Sequence, residues 1–561
     1  MAEDMLSVVL FKRKRLFGKK NIHTLKIMAN LGEIYKYQAR WKEAEIIILQ
    51  IFELNQAILG AENSIALESM DNLAEVYQSQ GQWKRAEEIN QKSIEIKSRL
   101  FGEKDLNTLR SLDNLGVVYR NQGKWKQAEK IMEEVVKIRV DALGKEHPDT
   151  FLSLNNLAMI YQDQGLWKEA EDIYIKQLNI ETQFHLKAEH PHILTSLNNL
   201  SVLYKDQGKW KEAEMINDHV LQTRIKVLGE EHPDTLISSE NMATLLDKQG
   251  KFQEAEKISR KVLELKQKHL GKEHPHTIAS MSNLSILYRD QGKWTEAEEL
   301  NNEVVQLSTK LLGKEHPNTL ASMSNLAVIY HNQGRLKEAE NLSSKILHLR
   351  TKVLGEEHPQ TLTSLHNLAS TYSDQGRWKE AEQLYVEKLN KLYNKVLEKH
   401  HPDTLTSMSN LVTIYHNQGK WKDAEKLNMQ VLSLRTVILG KEHPDTLISM
   451  NTLAMIYFEQ GRLKDALNLN MELLSLRNKV LGEEHPFTLT SMSNLAIIYA
   501  DQKNWKEAEE WNLKVIQLRS KVLGESHQDT LASMNDLMLV YKNQGKKEKT
   551  KELEAQIQAR L

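Results

Sequence analysis

The sequence predicts an all-α repeat solenoid, on three observations. Asn-Leu or a close variant recurs at Asn30, Asn72, Asn114, Asn156, Asn199, Asn241, Asn283, Asn325, Asn367 and Asn410, and the series continues at Thr452, Asn494 and Asp536. Successive positions differ by 42 residues, except 156 to 199 and 367 to 410, which differ by 43. All nine prolines fall in a single slot of this period, each preceded by His, from Pro148 to Pro486. A fixed period in this range is the mark of stacked supersecondary units.

One unit shows how the elements arise. From Pro275 to Gln291 the apolar residues are Ile278, Met281, Leu284, Leu287 and Tyr288. From Trp294 to Leu311 they are Ala297, Leu300, Val304, Leu307 and Leu311, a 3-4-3-4 stepping that marks one helical face. Pro275 suits a helix start, where its missing N–H is not needed. Gly292 separates the two segments and Gly313 ends the second, as glycine does after a helix. Each unit therefore reads as helix A, tight turn, helix B, short loop. Neither helix can bury its apolar face alone, so stacking supplies the core and coupling is expected between nearest neighbours. The array should then melt in segments.

Composition narrows the function. Lys+Arg number 75 and Asp+Glu 76 among 561 residues, a formal charge of −1. That balance argues against bulk attraction to nucleic acid or an anionic membrane. The chain has no cysteine, which fits a reducing compartment and excludes thiolate chemistry. No apolar run approaches the roughly 18 residues that span a bilayer, and the N-terminus lacks the order of a signal peptide. A cytoplasmic protein is the expectation.

The motif Asn-Leu-Ala-x-x-Tyr-x-x-Gln-Gly-Lys-Trp-x-Glu-Ala-Glu, followed by Leu-Gly-x-Glu-His-Pro, appears as NLSILYRDQGKWTEAEEL (283–300) and LLGKEHPNTL (311–320). It resembles the tetratricopeptide repeat, in the 42-residue version of kinesin light chains. The same version occurs in the C-terminal arrays of fungal and bacterial STAND signalling ATPases. The resemblance covers nearly the whole chain and implies a helical-hairpin solenoid wound into a right-handed superhelix. Residues 1–561 then form one solenoid of about thirteen units. Residues 1–22 read as a partial N-terminal repeat, since LSVVLFKRKRLFGKKNIHTL (6–25) aligns with a helix B and its loop. Residues 531–561 read as a capping unit, with Lys546-Lys547-Glu548-Lys549 where other units carry Trp and Ala. The heptad segment of kinesin light chains has no counterpart, and no Walker-type loop is present.

A longer period lies inside the short one. Both 43-residue steps add a residue before the His-Pro slot, in QFHLKAEHPH (183–192) and YNKVLEKHHP (393–402), 211 residues apart. Tyr174 matches Tyr385 at the same offset, as does HPDTLIS at 232–238 and 443–449. A duplicated five-unit block accounts for this, and features near unit four should recur near unit nine.

The resemblance places helix A on the concave side. On the helical wheel Ala279, Ile286 and Asp290 share the stripe of Asn283, while Met281, Leu284, Ser285 and Tyr288 face the other way. The corresponding stripes are Arg110, Asn114, Val117, Asn121; Leu152, Asn156, Met159, Asp163; and Thr195, Asn199, Val202, Asp206. Such a surface can hydrogen-bond an extended peptide while its apolar positions contact side chains. In the light-chain family, groove Asn residues contact the peptide backbone. The resemblance carries that role onto Asn114, Asn156, Asn199, Asn241, Asn283, Asn325, Asn367 and Asn410. A second reading stands beside it: an Asn in every unit ties neighbouring repeats together. Arg120, Lys205 and Arg289 could pair with acidic groups of a ligand or be solvated flank residues, and Asp163, Asp206, Asp290 and Asp374 offset their charge.

Three recurrent signals read as structural. The His of the His-Pro slots read as helix starts, because units roughly 8–10 Å apart cannot share a zinc at about 2 Å per bond. The Trp that opens helix B is replaced by Phe252, Leu336 and Leu463, which favours packing. The Glu-Ala-Glu carboxylates sit in the first turn of helix B, where they favour the dipole. No nucleophile set stands out, and no metal or cofactor is expected. The sequence thus reads as a non-enzymatic scaffold that binds a protein or peptide partner, within a larger complex. A STAND-type sensing array and a structural spacer are the alternatives.

Overall fold

The computed structural model describes residues 2–183, 189–389 and 401–560. The residues added by the 43-residue steps thus fall largely at 184–188 and 390–400, outside the described residues. Elsewhere helices A and B alternate along the chain, from Ile22–Tyr37 and Trp41–Leu59 to Gln528–Asn543 and Lys547–Gln558. An additional helix, Ala2–Phe17, packs against Ile22–Tyr37. No strand occurs among the described residues.

Local chemistry sets the bounds of each element. In units one to three the N-caps of helix A are Asn21, Asn63 and Asp105, whose side chains accept from the backbone N–H two residues on. From unit four onward the cap is a His, followed by Pro in units four to twelve, and its Nδ1 accepts the same bond, as in His316 from Asn318 N at 3.1 Å. Helix A ends in a left-handed glycine: Gly292 has φ 74°, its N–H bonds Arg289 O, and Lys293 N–H reaches back to Tyr288 O at 2.8 Å. This is the Schellman pattern, which satisfies the last carbonyls of the helix.

The core of unit seven joins Met242, Leu246, Leu284, Leu287, Tyr288, Ala297 and Ile329, so each unit completes its core with its neighbours. Leu284 is 3 % exposed. Leu284→Ala is expected to cost about 2–5 kcal/mol, read as a lower urea midpoint for the segment around unit seven.

Helix B departs from the simple apolar face. Its deepest stripe in unit seven is Ala297, Asn301, Val304 and Ser308, while Leu300, Leu307 and Leu311 are half-buried. Asn301 Nδ2 donates to Ser322 O of the next unit at 2.9 Å, and Asn217 and Asn428 do the same to Ser238 O and Ser449 O. Further along helix B a cation is buried in most units. Arg350 donates to Gln360 O at 2.9 Å and Ser364 Oγ at 2.8 Å, and Arg224, Arg435 and Arg477 repeat the arrangement. These cations are bound where the next helix A begins, so they lock unit to unit.

The Glu-Ala-Glu segment does more than complement the dipole. Its second Glu accepts from the Gln that caps the next helix A, as Gln249 Nε2 to Glu214 Oε2 at 2.8 Å, and pairs with the adjacent Lys251 at 3.0 Å. The same clamp joins Glu298 to Gln333 and Arg335, and Glu340 to Gln375 and Arg377.

Most successive A helices touch at a few residues, whereas successive B helices meet at most marginally. The A helices therefore take the inner side of the curve. The curvature closes on itself. His274, His316, His358, His401, His443 and His485 place Nε2 3.0–3.3 Å from the carbonyl oxygens of Tyr37, Ser79, Asn121, Asp163, Asp206 and Lys248. The A helix of each unit from seven to twelve thus starts where the A helix six units earlier ends. Since Nδ1 accepts the capping bond, Nε2 carries the proton and donates. The positive helix start also meets a negative helix end. Trp83, Trp125, Trp167 and Trp210 stack on His358, His401, His443 and His485 at 5.4–5.7 Å. The glycine turns fit under the prolines: a Cβ on Gly123 would lie 2.5 Å from Pro359 Cδ.

The seam adds to one expectation and changes another. The Trp ladder packs within its own unit, as Trp83 and Trp167 do, and in units two to five it also stacks on a His of the next superhelical turn. Coupling is also not confined to nearest neighbours, because residues 237 apart are hydrogen-bonded. Segmental melting, which assumes nearest-neighbour coupling, is expected only once the seam has opened.

The block-duplication reading meets a mixed outcome. Tyr174 and Tyr385 are both fully buried at equivalent places. Yet Leu384–Leu389 forms a π-helical turn, and the matching residues around Tyr174 continue as α-helix.

Candidate binding surface

The stripe expected on helix A is where the inner face is open. Asn283 is exposed, and Asn114, Asn156, Asn199, Asn241, Asn325, Asn367 and Asn410 are half-buried. Around them Leu152, Ile237, Ile448 and Ile497 present aliphatic side chains, Leu152 with 55 % of its surface exposed. These are large apolar groups held in place by rigid helices, with amides between them.

Four of the eight asparagines serve the fold. Asn241 Nδ2 donates to Asn198 Oδ1 at 3.1 Å, Asn325 and Asn367 donate to Ser282 Oγ and Ser324 Oγ at 3.4 and 3.5 Å, and Asn410 lies 2.9 Å from the His366 ring. Each bond runs to helix A of the preceding unit, so the ladder reading describes real geometry. A side-chain amide has two N–H donors and a carbonyl acceptor. One ladder bond leaves the rest of the group for a ligand.

The basic residues are already paired. Arg120 grips Asp163 of the next unit, with Nε 2.5 Å from Oδ2 and Nη2 3.3 Å from Oδ1. Arg289 pairs with Asp290 at 2.6 Å, and Lys205 lies 3.6 Å from Asp206. His331 sits 2.6 Å from Asp374. The inner surface therefore presents neutral pairs rather than a basic stripe.

Unit six inverts the pattern, a feature the sequence reading passed over. Asp247 and Lys248 stand where neighbouring units have Lys205-Asp206 and Arg289-Asp290. The Asp247 side chain is 9 % exposed, and burial pushes its carboxyl up to about 6. Beside it lies a cavity of about 100 Å³, lined by Glu240, Thr244, Ser259, Ser280 and Asn283. It exists because Ser259 stands where Asn217 and Asn301 fill the same space in adjoining units. Comparing the slot across units would have revealed it. Among the described residues no three His, Asp or Glu side chains gather as metal ligands, and no helix is long and apolar enough to cross a membrane.

Comparison with known proteins agrees with this architecture. A tetratricopeptide repeat family profile matches residues 62–141, 107–182, 149–217, 192–268, 237–308, 276–347, 322–390 and 403–479. A second matches 24–64 and 488–529. The chain belongs to the tetratricopeptide repeat family. Among solved structures it is similar to a protein of Podosopora anserina described as a kinesin light chain with nearly identical TPR-like repeats. Identity there is 34% over 37% of this chain and 98% of that one, with a TM-score of 0.31. It is also similar to BtubC (BKLC) from P. vanneervenii, 22% identical over 41% of this chain and 92% of that one, with a TM-score of 0.35. The Cut9-Hcn1 hetero-tetramer of the APC/C matches over 96% of this chain and 93% of its own, with 14% identity and a TM-score of 0.39. A search of curated proteins finds no match.

Proposed function

We propose that the chain is a non-enzymatic scaffold that holds a segment of a protein partner along its inner face. The supporting observation is the helix A stripe: aliphatic side chains exposed between Asn amides that keep unused hydrogen-bonding capacity. An extended segment could bond its backbone to those amides and seat alternate side chains between them. The paired charges remove the case for a preference for acidic peptides. The balanced net charge and the absence of cysteine favour a protein ligand over nucleic acid or membrane, and a cytoplasmic setting within a larger complex. One continuous solenoid would present that face along its whole length.

The test is affinity capture with the wild-type chain and with Asn199→Ala/Asn241→Ala, followed by peptide-array mapping of the captured proteins. Loss of the mapped segments with the circular dichroism spectrum unchanged is the expected result. If every interaction survives in the double variant, the inner face is not the binding surface. A spacer would yield no partner that depends on either residue. A STAND-type sensing array would use the same face, so the capture tests it equally.

A further inference from the structure

The inner face is open at the level of each unit, yet the seam closes the wall that carries it. We propose that the A helices enclose a bore which an extended chain enters through its ends and which folded domains cannot reach from the side. This rests on the inner face being the binding surface and names the shape and entry route of its ligand.

The His seam sets the geometry. Each A helix from unit seven to unit twelve begins at the carbonyl end of the A helix six units before it. The inner wall is therefore six columns of A helices, joined end to end along the superhelix axis. Neighbouring columns touch, since most successive A helices meet at a few residues. Six helices spaced roughly 8–10 Å apart place their axes on a ring roughly 16–20 Å across. Removing one helix diameter of roughly 10–12 Å leaves a bore roughly 4–10 Å wide. A single extended strand needs about 5 Å by about 10 Å.

The more widely spaced B helices leave crevices between turns, one of about 620 Å³ beside Trp125, Trp167 and His401. This crevice reaches the seam, where His401 bonds Asp163 O and Pro402 covers Gly165. The bore lining is the amide and aliphatic stripe already described. Its ends are the places from which a chain can enter without breaking six hydrogen bonds.

The absence of cysteine makes a direct test possible. Ala279→Cys places a single thiol on the inner stripe at mid-array, and Glu299→Cys places one on the exposed side of helix B in the same unit. Both should react with iodoacetamide. Maleimide carried on streptavidin, far wider than the bore, should label the outer variant fully and leave the inner one unmodified. Adding His358→Asn/His401→Asn, which keeps a capping side chain and removes the seam bond, should expose the inner thiol to it. Equal labelling of both thiols by streptavidin-maleimide overturns the closed wall. Failure of iodoacetamide at the inner site overturns the open bore. A second arm uses a linear peptide selected by display on the wild-type chain, with a folded domain then fused to each end. Loss of binding supports end entry, and undiminished binding overturns it. If the inner thiol is protected but no peptide is ever retained, the binding reading fails while the closed wall stands.

Discussion

Acidification from about pH 7 to about pH 5 is expected to open the superhelical seam before it melts the units. Each seam histidine accepts a backbone N–H at Nδ1 and donates Nε2–H to a carbonyl, an arrangement only the neutral ring can make. Burial between turns holds His274, His316, His358, His443 and His485 below the ordinary histidine value, His485 at about 4. Above about 6.5 the ring is neutral in the closed and open forms alike, and the seam keeps its full strength. Below that value the open form takes up a proton that the closed form refuses, down to about 4 for His485, so closure weakens as pH falls. For His485 alone the interval corresponds to ~3 kcal/mol. The five groups act on one equilibrium and in one direction. Asp247 opposes them, since a carboxyl raised by burial favours the closed state on protonation, but it is one group against five. His147 and His232 are about two-fifths exposed and meet no other turn among the described residues. Small-angle scattering should show a larger radius of gyration at the lower pH with helicity retained. Unchanged dimensions across that range would sink the prediction.

Asp71→Ala is expected to destabilise the array around units two and three by about 3–5 kcal/mol, the cost of leaving a buried cation alone. Lys97 Nζ lies 2.6 Å from Asp71 Oδ2 and donates to Ser111 Oγ at 2.8 Å, with its side chain only 4 % exposed. Ser93 and Ser111 both donate to Asp71 Oδ1, at 2.8 and 3.0 Å. Removing the carboxylate strands three donors at once, one of them charged. The double change Asp71→Leu/Lys97→Met removes both charges and should recover most of the loss, because two desolvated ions gain little over well-packed apolar groups. Urea denaturation of the three proteins distinguishes the cases. An Asp71→Ala protein as stable as wild type would mean that water or another residue reaches Lys97.

The helix boundaries were legible because their causes are local. Pro275 fixes the start of one helix A and Gly292 its end within one unit, and each signal works without knowledge of the rest of the chain. The orientation of the stripe was legible for the same reason: Asn283 and Tyr288 face opposite ways by helical geometry alone. The pairing of Arg120 with Asp163 and of Asn241 with Asn198 was not, since each joins residues about one repeat apart. The buried Arg350 is hidden too, because an arginine inside helix B looks solvated until the next helix start covers it.

By itself, then, the sequence determined the repeat unit, its two helices, the face each buries and the family to which the chain belongs. These follow from periodicity, capping and glycine placement, which act over a few residues to one unit. Only the tertiary structure decided that the turns touch, that His316 meets Ser79, and that the inner face is walled. The His-Pro edge recurs in nine units and the Gly-Trp edge in most, so no pattern of letters says which edges meet. That choice belongs to the small rotation between neighbouring units, accumulated over six of them until the two edges come within hydrogen-bonding distance.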